Sequence, residues 1–454
     1  MEKSKLEPKD AALLRPIEKT TGKFWAFIGI LLAIWAFGMY GWFNQLGRGL
    51  DVTGLNVPVY WGVYITNFVF FIGISHAGTL ISAILRLSHA EWRRPITRAA
   101  EVITVLVLFF GVGCVLLDLG RPDRALNVLK HPNFRSPLLW DVTSISVYLT
   151  ASTIYLFLPL IPDIAILRDH YPGRRWFYRL LALGWTGTER QKHILETLIA
   201  TMAVLVIPIA VSVHTVVSWV FAMTVQPMWH STIFGPYFVV GAIFSGIAAI
   251  IIAMAVIRRV YHLENYLKPI HFNNLGILLL VMALLWFYFT FAEFLTTFYG
   301  ADPSHMAIFM SKVGGEFSWY FWIMVVACFI VPLVLLGNGR TRGAVWGTVA
   351  ASVSVEIGMW LERFLIVVPS LSRPRLPLEG VAYSPSWVEW SLLAGFIAMF
   401  IFLYAVFTKL FPIISIWEIQ EGREHAVVHV TQRVKSYLDT ASAPMEPAAS
   451  GSSD

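Results

Sequence analysis

Residues 197–257 read TLIATMAVLVIPIAVSVHTVVSWVFAMTVQPMWHSTIFGPYFVVGAIFSGIAAIIIAMAVI, 61 residues without one Asp, Glu, Lys or Arg. About 20 apolar residues carry a helix across the roughly 30 Å hydrocarbon core of a bilayer. The run is too long for one crossing, and Gln226-Pro227-Met228-Trp229-His230 supplies the turn chemistry that divides it into two. Outward from this pair the apolar runs recur. Phe24–Leu46 is the first span, a second begins near Tyr60, and Val102–Leu117 and Val142–Pro162 are the third and fourth. The divided run supplies spans five and six. Asn273–Tyr299, Phe317–Leu336, Arg342–Val368 and Trp387–Phe411 complete an expected all-α integral membrane protein of ten transmembrane helices.

Composition agrees: 57% of the residues are apolar and 14% charged, with a mean hydropathy of +0.66. A soluble domain carries about 25% charged residues. That deficit excludes a soluble enzyme, a disordered regulator and a disulfide scaffold. Residues 1–23 hold six basic residues and no apolar h-region, so the reading is a cytoplasmic segment and not a signal peptide.

With the N-terminus inside, the inner segments hold 25 Lys and Arg and the outer loops 8, with Arg363 left within span nine. This asymmetry follows the positive-inside rule, so the net charge of +6 is a topology signal that needs no nucleic acid. It places both termini in the cytoplasm. Four of the eight outer basic residues fall in one loop, from Arg121 to Arg135. The expected layout is 1–23 cytoplasmic, 24–59 first span and outer loop, 60–221 a first bundle carrying the site, 222–370 a second bundle, 371–412 outer loop and tenth span, and 413–454 an amphipathic segment (Ile414, Trp417, Val427, Val430) with a disordered tail.

Cys114 and Cys328 lie in apolar runs and form no CxxC or CxxCH motif, so no iron–sulfur cluster, c-type haem or other metal is expected in this chain. A b-type haem needs two histidines at one depth. His76 stands about ten residues from the inner end of span two and His214 about twenty from that of span five, which at 1.5 Å per residue predicts a separation in depth of about 15 Å.

Two constellations could carry chemistry. Ionisable groups inside spans cost on the order of 3 kcal/mol each. Glu293, Glu356, Arg363, Glu196, His76 and His214 are therefore candidates for a proton route, or for hydrogen bonds between helices. At the outer ends of spans two to four, Tyr60, Tyr64 and Asn67 share a helical face. Asp118 and Arg121 end span three there, and Trp140-Asp141 opens span four. Aromatic walls with an acid beside an arginine suit a quinol, whose oxidation releases two protons; the same residues also serve as interfacial belts and helix caps. Ten helices with buried carboxylates also describe a carrier, although the paired broken helices of carriers are not evident.

Asp118-Leu-Gly-Arg-Pro-Asp-Arg124 followed by Ser136-Pro-Leu-Leu-Trp-Asp141 resembles the signature loop of the NrfD/polysulfide-reductase type of membrane subunit. Gly73-Ile-Ser-His-Ala-Gly78 and Trp229-His-Ser-Thr-Ile-Phe-Gly-Pro-Tyr-Phe238 extend the likeness. With ten spans the chain is most similar to the core membrane subunits of alternative complex III, of the ActC type. That resemblance implies two four-helix bundles, spans two to five and six to nine, flanked by spans one and ten. It implies a bacterial inner-membrane protein that binds menaquinol near the outer face of the first bundle, at Tyr64, Asn67, Asp118, Arg121 and Asp141. Electrons would pass to an iron–sulfur partner outside and on towards haem c subunits, beside a paralogous membrane subunit of the same type. Related subunits place a histidine in the outer part of span two. Here that stretch reads Asn67-Phe68-Val69-Phe70, which shifts the role of proton acceptor to Asp141. The paralogous subunit, with the same fold and without quinol oxidation, is the alternative.

Overall fold

The structure, a computed structural model, describes residues 10–373 and 382–423. Nine of the described helices are long and apolar enough to cross a membrane: Gly22–Arg48, Val63–Leu87, Thr97–Asp118, Pro137–His170, Glu189–Ala222, Phe234–Val260, Pro269–Gly300, Ser318–Gly337 and Trp387–Leu410. Val345–Ser372, 28 residues long, is the tenth. Its three charged residues, Glu356, Glu362 and Arg363, lower its hydropathy, yet it packs along the helices on either side of it. The chain is a multi-pass integral membrane protein. In order these helices are spans one to ten, with Val345–Ser372 as span nine.

Contacts between helices resolve the two expected bundles. Span two packs on spans three and five, and span four on spans three and five. Span six packs on spans seven and nine, and span eight on spans seven and nine. Spans two and five meet span six across the join, and span nine touches span two as well. Spans one and ten pair with each other and lie outside, against span three. Burial follows this order: the apolar window of span two is 88% buried, that of span one 22%. Between Lys23 and Arg48 at its ends, the exposed residues of span one, among them Trp25, Ile30, Phe37 and Phe43, are apolar, as a lipid-facing surface requires.

Span two is the central element, and glycine lets it lie close to its neighbours. A Cβ at Gly78 would stand 2.0 Å from the Ala100 carbonyl oxygen and from the Thr104 hydroxyl of span three. Around it the helix widens into one π-turn, Ala77–Ile81, directly after His76. Such bulges occur often at functional sites.

Span three begins earlier than its hydropathy predicts. The helix starts at Thr97, which draws Arg98 and Glu101 into the protein, and span four continues past Pro162 to carry Asp163 inward. These charges pair instead of facing water. Arg98 forms a buried ion pair with Asp163 and donates to the Pro159 carbonyl at 2.7 Å and the Ser415 hydroxyl at 3.1 Å. Asp163 accepts from the backbone N–H of Ile416 (3.1 Å) and Trp417 (3.0 Å). The segment after span ten is thus held inside the end of the first bundle. Ile414, expected at the membrane interface, is buried in protein with Ile413 and Ile416. Trp417, half-buried, donates to the Pro159 carbonyl. Val427, Val430 and the tail lie outside the described residues.

Glu418, one turn on, pairs with Arg86 and Arg93. Burial would raise its carboxyl, but the guanidiniums of Arg86, Arg93 and Arg98 hold it below the usual carboxylate range. Residues 11–18 join the same end, where Lys409 donates to the Pro16 carbonyl at 2.6 Å. The described N- and C-terminal segments therefore lie on one side of the spans.

Removing one partner of a buried pair strands the other charge and costs about 3–5 kcal/mol. Asp163→Ala is expected to lower the thermal midpoint of the solubilised protein and to expose residues 412–423 to protease. The double replacement Arg98→Met with Asp163→Leu should recover most of the midpoint, and a single variant that melts like the parent would contradict this role.

Candidate functional site

The candidate polar residues at the ends of spans two to four bond to different partners, although Tyr64 and Asp118 lie within electrostatic range of each other and of Glu389. Tyr60 precedes the helix, is half exposed, and rests edge-on against Trp61. Tyr64 is buried and donates to Gln45 of span one at 2.7 Å, while Gln45 donates to the Leu117 carbonyl at 2.8 Å. Asn67 faces the other bundle and accepts from the Trp360 indole at 2.8 Å. Trp140 closes its own loop by donating to the Phe134 carbonyl at 2.8 Å.

Asp118 and Arg121 do not pair. Arg121 is exposed and forms a fork with Asp123 at 2.8 and 3.0 Å, because two residues on an open loop meet more easily than the loop can fold back. This contact holds the Asp123 carboxyl below its ordinary value. Asp118 keeps a buried oxygen without a hydrogen bond, and its charged neighbour is Glu389 at the start of span ten. Glu389 accepts from the Tyr383 hydroxyl and from the Gly54 (2.7 Å) and Ser386 (2.8 Å) backbone. Asp141 is buried on span four with Oδ1 unpartnered. A buried acid without a partner is a group poised to exchange a proton.

The deeper residues converge. His76 of span two and His214 of span five stand edge to face, ring centroids 3.8 Å apart. The expected difference in depth is overturned, because span five is 34 residues long, more than a bilayer crossing needs, so its end is no measure of depth. His76 presents its nitrogens to two carbonyls, Nδ1 to Ile72 at 3.3 Å and Nε2 to Ala210. A neutral imidazole has one N–H, so both carbonyls accept only when the ring carries two protons. Neither nitrogen of His214 has a hydrogen-bond partner among the described residues.

Arg363 of span nine lies within electrostatic range of His214 and pairs with Glu362 at 2.8 Å. Its guanidinium sits 5.0 Å over the Phe238 ring. It occupies space that Gly241 leaves open, since a Cβ there would come within 2.6 Å of its Nη2. Tyr237 faces Glu362 and accepts from Thr290 at 3.3 Å. Farther out, Glu293 accepts from Ser231 at 2.8 Å, and Lys312 lies buried between the charges of Glu293 and Glu362.

In the other direction from His76, the Tyr148 hydroxyl meets Thr79 at 2.6 Å and donates to the Ser75 carbonyl at 3.0 Å. One turn on, Ser82 donates to Glu101 at 2.6 Å and meets Tyr155 at 3.3 Å. Arg86 and Glu418 follow. Protonatable and hydroxyl groups thus run through both bundles from Glu293 to Glu418, with the histidine pair at the join.

Two expected members stand aside. Glu196 is on an exposed face of span five. Glu356 lies two turns from Arg363, its carboxylate buried beside the Ala249 backbone. The chain alone hides several members. Lys312 reads as an outer-loop cation, whereas it lies on a short helix, Pro303–Val313, folded back against span seven. Glu101 reads as part of a basic loop because hydropathy misplaces the start of span three. Cys114 and Cys328 are buried and free.

Burial draws the Lys312 ammonium down to about 8, against the pull of Glu293 and Glu362. Between about pH 8 and the ordinary lysine value of 10.5 the unfolded chain keeps a proton that the folded chain has released, so stability rises with pH in that window. Lys312→Met should remove this part of the rise in denaturation curves taken from pH 7.5 to 10.5. Identical slopes in parent and variant would show that Lys312 titrates normally.

The family model described as "Polysulphide reductase, NrfD" matches residues 51–374, more than two thirds of the chain. Three relatives align nearly end to end. A Halobacterium salinarum protein, provisionally named as a membrane subunit of a dimethyl sulfoxide reductase, is 27% identical, over 86% of this chain and 92% of its own. An Hdr-like menaquinol oxidoreductase integral membrane subunit of Archaeoglobus fulgidus is 24% identical, over 90% and 99%. The integral membrane subunit of a menaquinone reductase of Nitratidesulfovibrio vulgaris is 22% identical, over 86% and 92%.

Proposed function

Because the chain belongs to the NrfD family of polysulphide-reductase-type membrane subunits, we propose that it is the quinone-handling subunit of an oxidoreductase complex of the alternative complex III type, linking menaquinol oxidation to proton movement. The observation that carries this reading is the His76–His214 contact, 3.8 Å between centroids, in the middle of a line of protonatable groups through both bundles. Such a line has no use in a passive anchor, and ionisable residues at membrane depth mark proton relays.

Menaquinol binds at the outer side of the first bundle and loses two electrons and two protons on oxidation. The electrons go to an iron–sulfur partner outside the membrane, then to haem c subunits. Asp141, buried and with one oxygen free, takes a proton; Asp118 is a second acceptor on span three. Protons cross along Glu293, Lys312, Glu362, His214, His76 and Glu101, with Arg363 as a fixed positive charge beside the path, next to a paralogous membrane subunit. Both termini then face the cytoplasm of a bacterial cell.

One observation favours a second reading. Arg121 turns out to Asp123, and Tyr64 and Asn67 bond to different helices, so the polar groups of these three residues are already engaged within the protein. That suits the paralogous subunit, which would conduct protons without oxidising quinol.

Two variants of the assembled complex in proteoliposomes decide between these. Asp141→Asn should slow quinol-dependent cluster reduction by about 10²-fold, the scale of a lost general base. His214→Leu should leave cluster reduction largely intact while abolishing proton movement beyond the protons quinol itself releases. Normal turnover in Asp141→Asn with proton loss in His214→Leu would select the second reading, and unchanged proton movement in His214→Leu would end the relay.

A further inference from the structure

Between spans four and five the chain makes a short helix, Arg175–Leu181, on the side that holds residues 11–18. Its faces are sorted. Tyr178 and Ala182 are buried, and Tyr178 anchors the helix by donating to the Leu410 carbonyl at 3.0 Å. Trp176, Leu180 and Leu183 form an outward stripe, exposed to 75, 69 and 68%. Arg175 and Arg179, one turn apart, form a second stripe beside it. An apolar stripe flanked by arginines is what a helix lying in a membrane interface presents.

The arginines lack a counter-charge. Asp169 forks with Arg168 and Glu189 pairs with Lys192. Among the described residues no carboxylate reaches Arg175 or Arg179. Between these two cations and the apolar stripe lies a shallow basin of about 790 Å³, lined also by Gly184. A narrower apolar groove of about 190 Å³ opens beside it, between Leu158 and Ile161 of span four and Ile194, Leu195 and Leu198 of span five. Leu183 lines both, so the groove adjoins the basin. Leu183 also has φ +47°, a left-handed conformation uncommon for a branched side chain, and strain of this kind gathers at ligand sites.

We propose that this corner binds an anionic glycerophospholipid, its headgroup phosphate against Arg175 and Arg179 and one acyl chain in the groove past Leu183. The cationic pair selects the charge, the groove takes the chain, and Trp176 seats the headgroup level. The lipid would tie spans four and five together at the end where no short loop joins them.

Native mass spectrometry of the delipidated full-length protein, offered equal amounts of phosphatidylglycerol and phosphatidylcholine, tests this. The parent should retain phosphatidylglycerol preferentially, and Arg175→Gln with Arg179→Gln should cut that preference about thirtyfold, since each of the two cations near a headgroup contributes about 1 kcal/mol. Leu183→Gly relieves the left-handed strain without threatening the fold, yet should weaken retention of both lipids alike. Equal retention of the two lipids by the parent, an unchanged preference in the arginine variant, or displacement by millimolar inorganic phosphate would overturn the proposal.

Discussion

A charge inside a bilayer must find its partner within the protein, and this constraint shapes the fold more than the apolar packing does. The arginine at position 98 shows how far it reaches. Its pair with Asp163 joins spans three and four, and the spare lone pairs of that carboxylate take the N–H groups of Ile416 and Trp417. One ion pair therefore fixes two spans and folds the chain that follows span ten into the base of the first bundle. Glu418 repeats the device with Arg86 and Arg93. Replacing such pairs by apolar residues can be neutral for stability, so their value here is in specifying which segment docks where.

The same constraint explains what the amino-acid sequence makes legible. Apolar runs are visible, so all ten spans can be read from it, including span nine with its three charged residues, whereas the grouping into two bundles comes from the family resemblance. Pairing is invisible, so hydropathy cuts helix ends short where buried charges cluster. It starts span three at Val102, whereas the helix begins at Thr97, and it leaves Glu101 and Arg98 in a loop. Lys312 counts among the outer cations although it is buried. Basic-residue counting works on totals and is blind to whether a given cation meets water or a carboxylate.

Depth is harder still to read. His76 and His214 come from helices of 25 and 34 residues, and counting along either assumes that its end lies at the membrane surface. Only the packing of span two on span five, helped by the π-turn after His76, brings the rings together. At the ends of spans two to four the family resemblance picks residues by motif, and their hydrogen bonds run to different partners, Tyr64 to span one, Asn67 to span nine and Arg121 to its own loop, while Tyr64 and Asp118 stay within electrostatic range. Motif proximity along the chain is not proximity in space where three helices leave the same loop region in different directions.

The histidine pair is asymmetric, and that asymmetry bears on how a relay through it would run. His76 faces two carbonyls and gains a hydrogen bond when it takes a second proton. His214 faces none, and on its other side stands Arg363. Arg363 pairs with Glu362, which in turn lies within reach of the Lys312 charge. Under the proposed relay, a change of charge at Lys312 or Glu362 reaches the histidine pair through Arg363 without any helix moving, and the packing that positions Arg363 in the recess left by Gly241 is part of that path.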